Sequence, residues 1–361
     1  MKKGCVYLIL AAGLILYGCN KSEGMKINIA VTGSPSVYSE YYEKGIKRAY
    51  ADVCEEYKDS GFEINVNFYD DNDSYEEAEK ITAGLVNDDS VTAIIGSSSE
   101  EICKNQVYQT NKTGKILISP HLPYDSILTD GNYDKVFSLN YSSEDIGIIM
   151  ESIAKDSPAT RWTMCYSDDE VSRTEIKEFK GGSGISVVDF VKENVLLSDF
   201  DKTVERWKLL GVEGVVLIPY DNEGFELLYR LKKEMPELYI IGDAELDDQN
   251  EYFENINYFV RVYMVNNFFT EDGESEVFAE DESLDTWEIH GYNTIKMIVD
   301  TAIENDTNNP AVIAEILHKN GYDGELESYK FDEKGALISE KFSYLEFMGE
   351  DVIGYIVTHE D

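Results

Sequence analysis

The chain repeats one rhythm of apolar and polar positions. Ile27–Val31 alternates toward a strand and ends in Thr32-Gly33-Ser34-Pro35-Ser36, a turn-rich stretch. Tyr38–Tyr57 then sets Ile46, Ala49, Tyr50 and Val53 at helical spacing, giving one apolar face. Phe62–Tyr69 alternates again through Phe62, Ile64, Val66 and Phe68, and Asp70–Ser74 reads as a loop ending in a helix cap. Tyr75–Val86 is the next helix. A strand at Val91–Ile95, a helix after Ser99 and a strand at Lys115–Ser119 complete a βαβαβαβ run. Such alternation predicts a parallel sheet covered by helices on both faces.

The rhythm resumes after Asn140-Tyr141. Helices are predicted over Ser142–Lys155, Val171–Phe179, Phe200–Leu210 and Glu223–Lys233. Strands are predicted over Arg161–Tyr166, Ile185–Val191, Gly214–Pro219, Leu238–Ile241 and Tyr258–Tyr263. Thr286–Glu304 reads as a long helix and Ala311–Lys319 as a shorter one, and two strands around a turn at Asp332-Glu333-Lys334-Gly335 finish the chain. The junction between the halves is short, without the composition of a flexible linker. A hinge of several crossings is therefore expected, not one tether.

One stretch stands out for chemistry. In Thr92–Glu101 an apolar run stops at Gly96 and passes through Ser97, Ser98 and Ser99 into a helical pattern. In open α/β sheets ligands bind beyond the carboxyl ends of the strands, where helix N-termini present backbone N–H groups. A Gly/Ser turn there admits close approach and adds hydroxyls. It is expected to form one wall of a ligand cleft, by default an anion cradle.

Composition narrows the setting. Lys2 and Lys3, the apolar run Val6–Tyr17 and then Gly18-Cys19 have the layout of an export signal, too short and too early for a spanning helix. The 71 acidic residues against 31 basic ones give a net charge of −40, which repels nucleic acid and anionic headgroups. With 43% hydrophobic residues in 361, the chain can bury two cores of the usual domain size. Beyond Cys19, Cys54, Cys103 and Cys165 lack metal-ligand spacing and read as buried small hydrophobes. No nucleotide-binding glycine motif, Gly-x-Ser-x-Gly or His-Glu-x-x-His occurs, and none of the four histidines (His121, His290, His318, His359) shares a motif with another. The reading is therefore a binding protein, neither an enzyme nor dependent on a cofactor or metal.

Several motifs together carry a resemblance. They are Ile27-Asn28-Ile29-Ala30-Val31, Tyr38 through Gly45, Tyr69-Asp70-Asp71, Leu85-Val86-Asn87-Asp88-Asp89 and Ile94-Ile95-Gly96. Ile118-Ser119-Pro120, Tyr322-Asp323-Gly324 and Phe331-Asp332-Glu333-Lys334-Gly335 follow in order. Over roughly residues 25–345 the chain resembles the type I periplasmic solute-binding proteins of ABC importers, in the branch for branched-chain amino acids and amides. Leu16-Tyr17-Gly18-Cys19 likewise resembles the bacterial lipobox, in which the cysteine is lipidated.

The resemblance implies an α/β fold of two Rossmann-like lobes with parallel sheets and three hinge crossovers. These fall near Asn140, Tyr263 and Gly324. Lobe one would be residues 25–139 and 264–324, lobe two 140–263 and 325–361, after a signal peptide over 1–19. It also implies an extracytoplasmic monomer held to the membrane through lipid on Cys19, a small-molecule ligand and a permease as partners, and hinge closure around the ligand. The segment before the Thr286 helix is shorter than the family usually has, so a helix of lobe one is expected to be reduced there.

Placed on this sequence, the family's ligand contacts fall on Tyr38, on Ser98, Ser99 and Glu100 after the third strand, and on His121, Tyr220 and Asp243. Tyr38 and Tyr220 would cover the ligand, and Asp243 would receive an ammonium. Each has a structural alternative: Tyr38 in core packing, Ser98 with Glu101 as a capping box, His121 as a solvated loop residue, Asp243 as a helix cap. Three positions depart from the family. Glu100 would repel a carboxylate, Pro123 stands where a threonine hydroxyl is usual, and Val171-Ser172 replaces a Tyr-Gly pair. The ligand is therefore expected to be small and polar, amino-acid-like or amide-like, and not an ordinary branched-chain amino acid. A sensing lipoprotein that keeps the fold with an altered cleft is the alternative.

Overall fold

The computed structural model describes residues 24–34, 40–97, 99–123, 133–140, 142–168, 170–181, 184–218, 223–242, 259–264, 286–324, 328–338, 341–348 and 351–358. The chain divides into two compact units. One holds the described residues within Met1–His121, Asn132–Phe137 and Leu284–Asn320; the other holds those within Leu122–Gly131, Ser138–Ser283 and Gly321–Asp361.

The first sheet consists of β1 (Lys26–Thr32), β2 (Glu63–Tyr69), β3 (Ala93–Ile95), β4 (Ile116–Pro123) and β5 (Val136–Asn140), in the order β2-β1-β3-β4-β5, and belongs to the first unit except for the last residues of β4 and β5. The pairs β1–β2, β1–β3 and β3–β4 are parallel, as the alternation requires. Ile27, Ile29, Ile94, Ile95, Leu117 and Ile118 are almost wholly buried, because a parallel sheet has both faces covered. Helices α1 (Glu40–Glu56), α2 (Tyr75–Val86) and α3 (Glu100–Thr113) connect the strands, with Ser74 capping α2 through a bond from the Glu77 amide. β5 was not assigned from the pattern, being only five residues long.

The long helix, here labelled α9 (Thr286–Glu304), is buried on every face from Glu288 to Ala302. It packs against α1 through two glycines. A Cβ on Gly45 would overlap the Glu288 carbonyl, and one on Gly291 would overlap that of Tyr42. Several polar residues of α9 pair with α1 and the turn after it. Lys296, 5% exposed, binds Glu56 at 2.7 Å and Asp300 at 3.3 Å, and the Tyr57 hydroxyl donates to Asp300 at 2.9 Å. Glu288 faces Lys44 at 3.0 Å.

The second unit has a seven-stranded sheet. Its strands are β6 (Arg161–Tyr166), β7 (Ser186–Lys192), β8 (Gly214–Ile218), β9 (Tyr239–Gly242), β10 (Phe259–Met264), β13 (Lys341–Met348) and β14 (Asp351–Thr358), in the order β14-β13-β10-β9-β8-β6-β7. The first five are parallel, and β13 and β14 add on antiparallel. The connecting helices are α4 (Ser143–Asp156), α5 (Glu170–Glu178), α6 (Glu193–Ser198), α7 (Phe200–Leu210) and α8 (Glu223–Glu234), and α10 (Pro310–Asn320) follows α9 in the first unit. Trp162 and Trp207 anchor the core, each indole N–H finding an acceptor, in Ala159 O at 3.0 Å and Asp189 Oδ2 at 2.9 Å.

The C-terminal region differs from the sequence reading. The turn at Asp332–Gly335 forms, closed by Gly335 N–H on Asp332 O at 3.1 Å. It is flanked by a single bridge, Phe331 to Leu337, rather than by two strands. The strands that finish the chain are β13 and β14, joined across Met348 and Asp351. A short pair, β11 (Tyr322–Asp323) and β12 (Ser328–Tyr329), precedes them. Cys103 and Cys165 are buried free cysteines, as expected, whereas Cys54, half-buried in α1, is disulfide-bonded and so is not the small buried hydrophobe that was expected. Among the described residues no helix is long and apolar enough to cross a membrane.

Candidate functional site

In the first unit three parallel strands end along one edge. Register pairs Thr32 with Tyr69, Val31 with Ile95, and Ile95 with Ile118, so the segments after β1, β2 and β3 emerge together, while β4 runs on beside them to Pro123. This is the edge at which α/β sheets bind small molecules.

The turn after β3 lies at its middle. Gly96 N–H donates to Ile118 O at 2.8 Å, tying the turn to β4. Ser97, 3% exposed, donates its N–H to Gln106 Oε1 at 2.9 Å, and the Ser99 N–H donates to Ser97 Oγ at 3.2 Å. Gln106 is 1% exposed and donates through Nε2 to Thr32 Oγ1 at 2.8 Å, and that hydroxyl donates to Ile95 O at 2.8 Å. A Cβ on Gly96 would stand 3.2 Å from Gln106 Oε1 and 3.3 Å from Cys103 Sγ. A side chain here would press on Gln106 and Cys103, whereas the φ of Gly96 is ordinary.

The N-cap of α3 is Ser99, with φ −74° and ψ 122°, and its side chain makes no capping bond. This corrects the expected Ser98–Glu101 capping box, which would have placed the cap one residue earlier. Ser99 is half-buried at the end of the strand edge. The helix starts at Glu100, and Glu101, exposed in its first turn, complements the helix dipole.

Along the same edge, Asp71 after β2 is 1% exposed and accepts from the Asp73 amide at 3.0 Å. Burial raises its pKa above the usual carboxylate range, against that amide bond. Asn72 and Asp73 take left-handed conformations, with φ 53° and 55°, which short polar side chains tolerate. His121 belongs to β4, which runs on to Pro123, and so is not in a loop as expected.

In the second unit the corresponding edge carries Ser167 and Asp168 after β6 and Glu193 after β7. Ser167 Oγ donates to Glu193 Oε2 at 2.8 Å. Asp168 binds Lys192 at 2.6 Å and Arg173 at 2.9 Å, and Lys192 beside it holds its pKa below the ordinary value. Ser172, one of the pair that departs from the family pattern, is fully buried within α5. Burial, with Glu193 nearby, pushes the Cys165 thiol pKa far up, so this thiol is inert.

Of the expected contact residues, Ser99, Glu100 and His121 lie in described segments, the last two by backbone. Tyr38, Ser98, Tyr220, Asp243 and the lipidation candidate Cys19 fall outside the described residues, as does the segment before α9. Tyr220 follows β8 by two residues and Asp243 follows β9 directly. Gln106 was missed. Its signal was present: Ile102, Cys103, Gln106, Val107 and Thr110 form one helical stripe, and a glutamine within a core-facing stripe must have partners. Among the described residues no group of three or more His, Cys, Asp or Glu could hold a metal ion.

Comparison with known proteins agrees with this architecture. A family model described as periplasmic binding protein matches residues 27–233, and the chain belongs to that family. A search of curated protein sequences finds no match. Among solved structures, the chain is similar to an ABC transporter substrate-binding protein from Desulfitobacterium hafniense in complex with leucine. The two are 18% identical with a TM-score of 0.78, over 91% of this chain and 100% of that one. It is also similar to the branched-chain amino acid transporter substrate-binding protein LivJ from Streptococcus pneumoniae in complex with isoleucine, at 17% identity and TM-score 0.74, over 92% and 100%. A solute-binding protein from R. palustris in complex with benzoate gives 14% and 0.71, over 93% and 98%. The type I periplasmic binding protein fold is thereby established.

Proposed function

We propose that the protein is the extracytoplasmic substrate-binding component of an ABC importer, held at the membrane by lipid on Cys19 and passing its solute to a permease. The observation that carries this is the match of the periplasmic binding protein family over residues 27–233. The lobes divide near residues 139/140, 263/264 and 324/325, and ligand bridging them stabilises a closed form. Ligand contacts come from Tyr38, Ser98, Ser99, Glu100 and His121 on one side and Tyr220 and Asp243 on the other. The solute is small and polar, amino-acid-like or amide-like.

A thermal-shift screen across amino acids, their amides, polyamines, nucleosides and aromatic acids tests this reading. Binding to the native state raises the melting temperature with ligand concentration, by mass action. A concentration-dependent rise with one class supports solute binding, and no rise with any class removes the proposal. Once a solute is found, Tyr220→Ala should weaken its binding and leave the melting temperature of the free protein in place. Loss of folding in that variant would assign Tyr220 to the core instead.

A further inference from the structure

Two of the places where the chain passes from the first unit to the second lie in described segments. One falls between Phe137 and Ser138, inside β5, and the other between Asn320 and Gly321, where α10 ends. The flanks of both steps are fixed. On the first unit's side, Leu117 N–H donates to Lys135 O at 2.9 Å, and the side chains of Phe137 and Leu317 are wholly buried. On the second unit's side, Ser138 N–H donates to Gly335 O at 3.1 Å, and Tyr322 is paired with Tyr329, their rings stacked 6.4 Å apart. Gly321 follows the second step with φ 69°, and a Cβ on it would lie 2.2 Å from Tyr329 O. A residue without Cβ takes that left-handed conformation at no steric cost.

One side chain ties the two steps to each other. His318, in the last turn of α10, meets Asp134 O at 3.0 Å through Nε2, and its ring lies 4.8 Å from that of Phe137. A carbonyl can only accept, so Nε2 carries the proton. Asp134 and Phe137 lead into the first step, and His318 leads into the second. Hinges are a few residues at element ends that absorb backbone rotation while their flanks stay rigid. Two such steps left independent would allow twisting as well as bending. Joined just before both, they turn together.

We propose that the Phe137–Ser138 and Asn320–Gly321 peptides carry hinge rotation in this protein, and that His318 is a positioning residue that couples them and confines the motion to one path. The inference rests on the solute-binding reading for its purpose, since closure around a solute is what such a path serves. His318 itself touches no solute; it acts through Asp134 and Phe137.

Double electron–electron resonance on the full chain tests the coupling without any solute. Spin labels go on Lys80→Cys in α2 and Lys202→Cys in α7, both exposed, the native cysteines of the described residues being buried or disulfide-bonded. His318→Leu keeps an apolar contact with Phe137 and loses the bond to Asp134 O. It should widen the distribution of label-to-label distances by roughly 1.5-fold or more, because a second direction of motion opens. His318→Gln, whose amide can again donate to that carbonyl, should return the width to that of wild type. A residue that only anchored α10 would lower the urea midpoint in His318→Leu and leave the width unchanged, and that outcome overturns the proposal. A widening that His318→Gln fails to reverse also overturns it, as does failure of His318→Leu to fold, which would assign His318 to the core. These results are separate from the thermal-shift screen: silence there removes the solute-binding reading, whereas an unchanged width removes the coupling alone.

Discussion

His290 shows how a single buried side chain couples this fold to pH. It is 3% exposed within α9, and burial lowers its pKa from 6.5 to about 4. Between those values the unfolded chain holds a proton that the folded chain excludes. Stability therefore rises with pH across that window and falls as the pH drops below 6.5, by up to about 3 kcal/mol. Urea melts between pH 4 and 7 should show a shallower acid limb in His290→Leu than in wild type, and equal slopes would refute this. Lys232 offers a second case. Its ammonium donates to Pro236 O at 3.0 Å and Leu238 O at 2.7 Å, while burial lowers its pKa to about 8. Lys232→Met strands both carbonyls and should cost on the order of 2 kcal/mol in denaturant unfolding. At this scale the sequence was informative about residue type and silent about partners. Gln106 is visible as a polar intruder in an apolar stripe, but its bond to Thr32 joins residues far apart in the chain.

At the scale of elements, the contact between α1 and α9 is the most demanding in the first unit. The two helices approach until backbone meets backbone at Gly45 and Gly291, and no side chain fits at either position. Gly291→Ala should force the helices apart and destabilise the chain by roughly 1–3 kcal/mol or more, read as a lower urea midpoint. An unchanged midpoint would mean that the helices separate at no cost. The sequence made both helices legible, yet in a helix buried all round, as α9 is, the row Glu288, Lys296 and Asp300 reads as a solvated face although it meets α1 and the turn after it. The same limit explains the C-terminal strands. β13 and β14 are paired by a register the local pattern does not encode, and the conspicuous turn at Asp332–Gly335 drew attention to the wrong pair.

For the whole molecule, the excess of acidic residues is the dominant long-range term. A net charge of −40 destabilises the compact state through self-repulsion, and salt relieves it. The melting temperature should rise between about 10 mM and 0.15 M sodium chloride, as the Debye length falls from roughly 30 to 8 Å. A flat or falling temperature would show that ion pairs such as Lys296 with Glu56 outweigh the repulsion. Alternation of strands and helices sufficed to determine the α/β class and the order of most elements, because a period of two or of 3.6 is a local property of the chain. The turn after β3 was equally visible as a place. Its chemistry was not. Tertiary structure alone decided that Gln106 takes the Ser97 amide and that Ser99, not Ser98, caps α3, because hydrogen bonds in a buried turn are allotted among groups brought together by packing.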